Sequence, residues 1–510
     1  MKKYLRQMFE KADDFFNAGF STACNPMIQL GAMGWFFYWI VVVSGIYLYI
    51  FFDTGVTEAY ESIEYLTNVQ WYAGGVMRSF HRYASDALVI VILLHSLREY
   101  SLDRFHGPRG FIWIIGVMAL LLLYASGITG YWIVWDRLAQ YIAISTSEWL
   151  DDLPFFGESI ARNFLDDTTL SDRFFTLFIF IHIAVPLILL LFMWIHVQRI
   201  TMPKTSPPVK LATGTLIMLL CLSLIYPATS QGPAELDQAI TIIELDWYYM
   251  FFYPLLDEFP GIYIWISVLI LTLILVCMPW FGKTEGLSIA KVELDNCNGC
   301  GRCVVDCPYN AVSLESRTDG LPYTNQAVVD PELCVSCGIC VGACPTAMPF
   351  RRKSELVPGI ELPDFSVNQL RDNIINATEN MKDRNNIIVF TCNYGPEANI
   401  INIPNTTVLS IPCIGMLPPS FIDFILSRNI ADGLFLTGCK AGSCYHRFGI
   451  NWTEQRIAGE RDPFLRDRVP RERISCYWAG KINRKQLLQE ITRFREKLVS
   501  QNTEKTVLKN

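Results

Sequence analysis

Over its first 280 or so residues the chain alternates long apolar runs with short polar connections, and beyond them it does not. Six apolar stretches, at about 32–52, 76–97, 110–135, 173–198, 211–229 and 261–281, predict helices. Each is near the length of about 20 residues that a hydrocarbon core of ~30 Å requires. Residues 1–20 mix Lys and Arg with Leu, Met and Phe, without the unbroken apolar core and small-residue cleavage site of a signal peptide. They predict a helix lying on a membrane surface. A polar stretch at 351–385 reads as a linker with a surface helix. From residue 386 the apolar runs shorten. NIIVF, TVLSI, GLFLTG and RISCYW read as strands, separated by helix candidates near 418–428, 446–458 and 484–498. Such alternation predicts a small α/β domain with a mostly parallel sheet.

Composition sharpens this division. Of 510 residues 51% are hydrophobic and only 18% charged, and the apolar excess lies before residue 282. A net charge of −7 with no basic run excludes a nucleic-acid partner. Loop charges predict topology: Lys2, Lys3, Arg6 and Lys11, then Arg98, Arg104 and Arg109, then Arg199, Lys204 and Lys210 fall on one side. Glu58, Glu61 and Glu64, Asp151, Asp152, Asp166 and Asp167, and Glu235, Asp237, Asp257 and Glu258 fall on the other, with Arg137 and Arg162 as minor exceptions. The positive-inside rule places both chain ends in the cytoplasm of a multi-pass protein, expected in a bacterial inner membrane.

Only six histidines occur, and four lie in two of the apolar stretches. His81 and His95 are fourteen apart, as are His182 and His196. Fourteen residues make nearly four helical turns, so each pair shares a face at a separation of ~21 Å. If the two helices are antiparallel, His81 meets His182 and His95 meets His196. Two bis-histidine haems stacked across the bilayer satisfy this geometry, whereas a lone intramembrane histidine could serve as a bundle hydrogen bond or proton relay.

All but Cys24, Cys221 and Cys277 of the sixteen cysteines lie from Cys297 onward. DNCNGCGRCVVDCP and ELCVSCGICVGACP repeat one spacing, three cysteines at steps of three, a fourth after three more residues, then proline. This spacing resembles that of the bacterial two-cluster ferredoxins, in which the fourth cysteine ligates the other cluster. The resemblance assigns Cys297, Cys300, Cys303 and Cys344 to one [4Fe–4S] and Cys334, Cys337, Cys340 and Cys307 to a second. Structural zinc and disulfides fit less well, because zinc sites use C-x-x-C pairs without this third step and disulfides suit small secreted scaffolds.

RSFHRYAS (78–85), HSLR (95–98), GYWIVWDRLAQYI (130–142) and LDWYYMFFYPLL (245–256) resemble cytochrome b of the quinol–cytochrome c and quinol–plastocyanin oxidoreductases, over roughly residues 20–282. The resemblance implies that Gly31, Gly45, Gly116 and Gly130 let haem approach the helices closely, where ordinary small-residue helix packing is the alternative. It implies that Arg78 and Arg98 pair with haem propionates, where interfacial anchoring is the alternative. It also makes Asp246, followed by Trp247 and Tyr248, the proton-accepting carboxylate of an outer quinol site, where a solvated acidic loop is the alternative. The sequence departs from the family at Leu245, Asp246, Ile142, Asp136, Thr201 and Gln29, and the family's last two helices are absent.

In the last segment Cys392, Cys413, Cys439 and Cys444 follow strand runs, where the edge of a parallel sheet forms sites. GCKAGSCYHRFGI is similar to the iron–sulfur subunit that links hydrogenases to heterodisulfide reductase, which implies one [2Fe–2S] on those four cysteines, where the alternative is that Cys392 and Cys413 are simply buried thiols. Cys476 is a reserve ligand, and His446 reads as a surface residue beside the cluster.

The expected fold is multidomain: an all-α transmembrane cytochrome b bundle of six helices (1–282), an α+β two-cluster ferredoxin (288–350), a linker (351–385), a small α/β iron–sulfur domain (386–500) and a tail (501–510). With no nucleotide fingerprint the chain itself takes no hydride. The expected function is the membrane subunit of a donor:quinone oxidoreductase. Electrons from a cytosolic FAD-containing partner oxidising NAD(P)H would pass through the iron–sulfur groups and two b haems to the quinone pool, with a homodimeric membrane domain as in cytochrome b. Two alternatives are quinol oxidation driving electrons inward to a cytosolic acceptor, and a non-catalytic redox sensor or anchor.

Overall fold

Apolar runs that bury their backbone polar groups within themselves become helices, and the first half of the chain follows this rule. The computed structural model describes residues 2–21, 24–154, 172–199, 205–237, 242–281, 288–317, 319–320, 322–350, 355–379, 386–442 and 444–507. Two units result, 1–282 and 283–510.

The first unit contains α1 (Lys2–Phe20), α2 (Leu30–Phe51), α3 (Val76–Ser101), α4 (Gly110–Val134), α5 (Arg137–Asp151), α6 (Asp172–Gln198), α7 (Val209–Ile225) and α8 (Gly261–Cys277). Among the described residues five helical spans are long and apolar enough to cross a membrane: Leu30–Phe51, Trp71–Ser101, Gly110–Val134, Phe175–Gln198 and Gly261–Trp280. The sixth expected crossing, α7, has 17 residues. Pro208 precedes it and Pro227 closes it, and proline disfavours helix in the residue before it. The chain is a multi-pass membrane protein. Helices α2 and α3 pack along each other, as do α4 and α6. The amphipathic α1 buries Phe9 and Asp13, and Asp13 forms a two-pronged ion pair with Arg98 of α3 at 3.1 and 2.8 Å. Asp166, Asp167, Arg162, Thr201 and Lys204 lie outside the described residues.

The second unit begins with two short antiparallel pairs. Strand β1 (Lys291–Val292) pairs with β4 (Ile360–Glu361), and β2 (Val312–Ser316) with β3 (Asn325–Val329), Val312 opposite Val329. Two single-turn helices, α9 (Arg302–Asp306) and α10 (Ile339–Ala343), each start after a left-handed glycine, Gly301 and Gly338. Then follow α11 (Val367–Glu379), β5 (Ile387–Cys392), β6 (Thr406–Ile411), α12 (Pro419–Ser427), β7 (Gly433–Leu436), α13 (Gly449–Ala458), β8 (Ile474–Cys476) and α14 (Arg484–Val507). The four later strands form one wholly parallel sheet in the order β6–β5–β7–β8.

Alternation along the strands assigns its two faces. Ile388, Phe390, Leu434 and Leu436 pack with Phe421, Ile422, Ile425 and Leu426 of α12. Ile387, Val389 and Phe435 pack with Leu487, Ile491, Phe494 and Leu498 of α14. The described part of the stretch expected as linker and surface helix, residues 355–379, is instead built into the unit. Leu356, Ile360, Leu362, Val367, Leu370 and Ile374 join the same core as the ferredoxin-type cysteines, because their apolar spacing matches β4 and one face of α11.

Candidate functional site

The four intramembrane histidines meet in the two expected pairs. The His81 and His182 ring centroids are 6.2 Å apart, and those of His95 and His196 are 6.5 Å apart. With a metal–imidazole bond of about 2 Å and the half-width of each ring, these separations would leave room for one iron held by both imidazoles of a pair. His81 Nδ1 lies 2.9 Å from the Val41 carbonyl, His182 Nδ1 3.1 Å from that of Ser126, and His196 Nδ1 3.1 Å from that of Ile112. A backbone acceptor on Nδ1 orients the imidazole and would leave Nε2 as the nitrogen available to a metal. Each predicted glycine lies against one of these rings. A Cβ at Gly45 would meet His81 Cε1 at 2.9 Å and one at Gly130 would meet His182 Cε1 at 2.9 Å, with Gly116 facing His196 and Gly31 facing His95 at 3.5 and 3.7 Å. The residues present therefore fit two bis-histidine haems.

Both predicted propionate partners are buried and bonded within the protein. Arg98 holds Asp13, and Arg78 donates to Thr67 Oγ1 and to Ser230 Oγ and lies 3.6 Å from Glu64.

Asp246 starts a short helical turn, Trp247–Met250. It accepts from Tyr131 of α4 and is ion-paired with Arg82 of α3. Burial pushes its carboxyl up to about 6 from an ordinary 3.8. Trp247 is 74% exposed, whereas Tyr248 hydrogen-bonds a second carboxylate, Asp86, which also lies 3.6 Å from Arg82. Arg82, Asp86 and Tyr131 escaped the sequence reading. An acid inside the apolar run DALVIVILL was the available signal, since ionisable groups within membrane helices are expensive and seldom idle. Asp136, one of the departures from the cytochrome b pattern, caps α5 by accepting from Ala139 N and ties it to a distant loop by accepting from Gln231 N, both at 2.9 Å. Ile142, another, is fully buried.

The ferredoxin-type cysteines line two chambers that are partly open to solvent. One is bounded by Cys297, Cys300, Cys303 and Cys344, the other by Cys307, Cys334, Cys337 and Cys340. Each chamber thus takes three cysteines from one motif and the fourth from its partner. Burial and the neighbouring Cys344, Cys300 and Cys297 push the Cys303 thiol up to about 12, and Cys337 and Cys340 rise for the same reasons. Thiols raised in this way keep their protons unless a cationic partner stabilises the thiolates, and an iron–sulfur cluster fits that requirement.

A third set gathers where β5, β6 and β7 end. Cys392, Cys413, Cys439 and Cys444 are all at most 5% exposed, with Cys392 Sγ 3.7 Å from Cys439 Sγ. Hydrogen bonds from Cys444 to Cys413 and Cys439 join the remaining members. The donor set fits an iron–sulfur group. Cys476 ends β8 in an exposed position outside this knot. His446 is not a surface residue: it is 5% exposed, its Nδ1 lies 3.1 Å from the Tyr309 hydroxyl, and the stacked rings of Tyr394 and Tyr445 flank it. The polar appearance of CYHRF hid a ring that fills the gap between two cysteine-bearing loops.

Comparison with known proteins follows these boundaries. Residues 17–203 match the family model Cytochrome b/b6/petB, 296–348 the 4Fe-4S dicluster domain, and 387–500 the methyl-viologen-reducing hydrogenase, delta subunit. Cytochrome b6 of Porphyra purpurea is 29% identical over 199 residues, 39% of this chain and 92% of that protein. Cytochrome b6 of Trichodesmium erythraeum is 28% identical over 39% of this chain and 89% of its own length. A solved structure, "Hyperthermophilic respiratory Complex III", aligns with a TM-score of 0.42 at 18% identity, covering 50% of this chain and 75% of that one. A cytochrome b domain implies haem b, and a dicluster domain implies 4Fe–4S clusters. The chain joins a cytochrome b/b6 domain, a 4Fe-4S dicluster domain and a domain of the methyl-viologen-reducing hydrogenase delta-subunit family.

Proposed function

We propose that this chain is the membrane electron-transfer subunit of a donor:quinone oxidoreductase, taking electrons from a cytosolic flavoprotein and delivering them to quinone. The observation that carries the reading is the presence, on one polypeptide, of two facing histidine pairs and three separate four-cysteine sets. When bound, haem and iron–sulfur groups supply one-electron transfer. The chain's own residues do the rest. Backbone carbonyls on Nδ1 of His81, His182 and His196 fix the imidazoles, and the four glycines leave room beside them. Cross-motif sharing of Cys307 and Cys344 ties the two chambers into one rigid element. Asp246, held between Arg82 and Tyr131 and half neutral near pH 6, handles the quinone proton.

Oriented with both ends in the cytoplasm, the iron–sulfur domains meet reduced donors on the reducing side of the membrane. No nucleotide-binding fingerprint occurs in the chain, so a partner carrying FAD splits the hydride into single electrons. The raised Asp246 carboxyl favours a second reading, in which quinol is oxidised and electrons run inward, because a carboxylate titrating near 6 accepts a proton readily. The test is anaerobic reduction of the purified complex with its co-purifying flavoprotein. Haem reduction by NADH or NADPH that is reoxidised by added quinone is expected. Haems that no pyridine nucleotide reduces, and that quinol reduces instead, refute the preferred direction.

A further inference from the structure

Three cysteine-bearing segments of the second unit converge on one buried cation. Arg456 of α13 is 1% exposed. Its Nη2 donates to the Asp306 carboxylate, immediately before Cys307, and its Nη1 donates to the Gly415 carbonyl, two residues beyond Cys413, at 2.9 Å. A Cβ on Gly342, between Cys340 and Cys344, would lie 2.6 Å from Arg456 Nη1 and 2.1 Å from the Gly415 oxygen. The guanidinium thus sits where the loop of the third cysteine set meets segments of both ferredoxin-type chambers. Cys337, Ile339 and Cys413 pack in one apolar cluster beside it. Further bonds clamp the same junction: Trp452 Nε1 to the Asp306 carbonyl at 3.2 Å, and Arg447 Nη1 to the Pro308 carbonyl at 2.6 Å.

Burying an ion pair contributes little net stability compared with an apolar pair of the same volume. Arg456 Nε also has no protein partner among the described residues. A cation kept under these terms, at the meeting point of three thiolate sets, acts chiefly through its field. We propose that electrons cross between the third cysteine set and the ferredoxin at the Cys413–Cys337 junction, and that Arg456, balanced by Asp306, is the positioning residue whose charge sets the potential step there. The step moves one electron from a reduced iron–sulfur group on one side to an oxidised one on the other and transfers no proton. This rests on the reading of Cys392, Cys413, Cys439 and Cys444 as ligands of an iron–sulfur group.

The two members of the pair give opposite predictions. Arg456→Gln leaves Asp306 negative beside Cys307, so the adjoining groups become harder to reduce. Asp306→Asn leaves the cation, so they become easier to reduce. A unit charge about 10 Å away at an effective dielectric of ~20 changes a reduced-to-oxidised ratio on the order of tenfold, which for one electron is about 59 mV. The experiment is an EPR-monitored redox titration of the full-length protein with its iron–sulfur groups in place, together with iron and acid-labile sulfide analysis of the same samples. Shifts of opposite sign in Arg456→Gln and Asp306→Asn, with Arg456→Lys near the parent, are expected. Arg461→Gln removes a second, more exposed partner of Asp306 at 3.3 Å. It should shift the titration in the same direction as Arg456→Gln but by less, and it serves if the buried variant does not fold. Midpoints that stay put, or that move in the same direction in both variants, overturn the proposal. Parent protein lacking the signal of a third iron–sulfur group overturns the ligand reading instead, and sulfide analysis tells the two failures apart.

Discussion

Replacing His182 by Leu should remove one haem and leave the other. The magnitude follows from the pairing. His182 faces only His81, at 6.2 Å between ring centroids, while His95 and His196 form their own pair at 6.5 Å. Fourteen residues separate the two levels on each helix, ~21 Å along the axis, so loss at one level leaves the other's ligands untouched. The remaining histidines cannot substitute: His106, in the loop after α3, lies against the Pro279 carbonyl just beyond α8, and His446 belongs to the second unit. Haem per polypeptide, read as pyridine haemochrome, should therefore fall by half.

Double variants make the pairing itself testable. His81→Leu with His182→Leu damages one level only and should lose no more haem than either single variant. His81→Leu with His196→Leu damages both levels and should lose all of it. Acid-labile sulfide, which reports the cysteine sets, should stay constant throughout and so separates haem loss from unfolding. Full haem in the His182 variant refutes the site. So does a His81/His182 double that loses both haems while His81/His196 loses one, because that pattern requires the histidines to pair across levels.

Ligand sharing between the chambers predicts that Cys307→Ser abolishes the EPR signal of the group held by Cys334, Cys337 and Cys340, and that Cys344→Ser abolishes the other, a result that ligation within each motif would reverse. Cys413→Ser should eliminate the third iron–sulfur signal and Cys476→Ser should preserve it, since only the former is in the buried knot. Asp246 titrates near 6, so quinol oxidation that needs its ionised form should decline as pH falls below about 6, whereas quinone reduction that needs its acid form should decline above it. Asp246→Asn should flatten whichever limb is present, and an unchanged pH profile would remove the residue from the reaction. Asp13→Asn strands Arg98, itself 8% exposed, and breaking a buried pair costs about 3–5 kcal/mol. A thermal midpoint equal to the parent's in detergent would show the pair to be idle.

Histidine spacing and cysteine spacing were legible because each encodes geometry directly. A period of fourteen on two helices specifies two levels, and the doubled motif specifies which cysteine crosses over. Strands β5 to β8 were legible as short apolar runs, and a wholly parallel sheet places their ends, with Cys392 and Cys413, at one edge. What stayed hidden depends on partners far away in sequence. Asp13 and Arg98 are 85 residues apart, and neither residue's neighbourhood announces the other. The stretch 355–379 looks polar because only one face of α11 is apolar, and its role in the core emerges once β4 pairs with β1. His446 is buried by Tyr309, 137 positions away, which local composition does not reveal.

The same long-range packing bears on how electrons could move through the second unit. One continuous core includes Cys297, Cys303 and Cys340 of the chambers, Leu370 and Ile374 of α11, and Phe390, Cys392 and Cys439 of the parallel sheet. Interiors packed to this degree deform little, so separations between groups held in them are set by side-chain volume and not by the reach of a tether. A flexible linker between ferredoxin and sheet would let the third cysteine set swing toward and away from the chambers, and the transfer rate would follow that motion. Here Gly342 and Gly415 bring the two loops into backbone contact, Gly449 lies where a Cβ would strike Cys413 Sγ, and Arg456 bonds both sides. Gly342→Val should therefore act as a wedge. It should lose the coupling between the third group and the ferredoxin, read as EPR spin–spin broadening, while each group's own iron content survives. Broadening that persists in a folded Gly342→Val protein would mean that the contact at Gly415 does not set the separation.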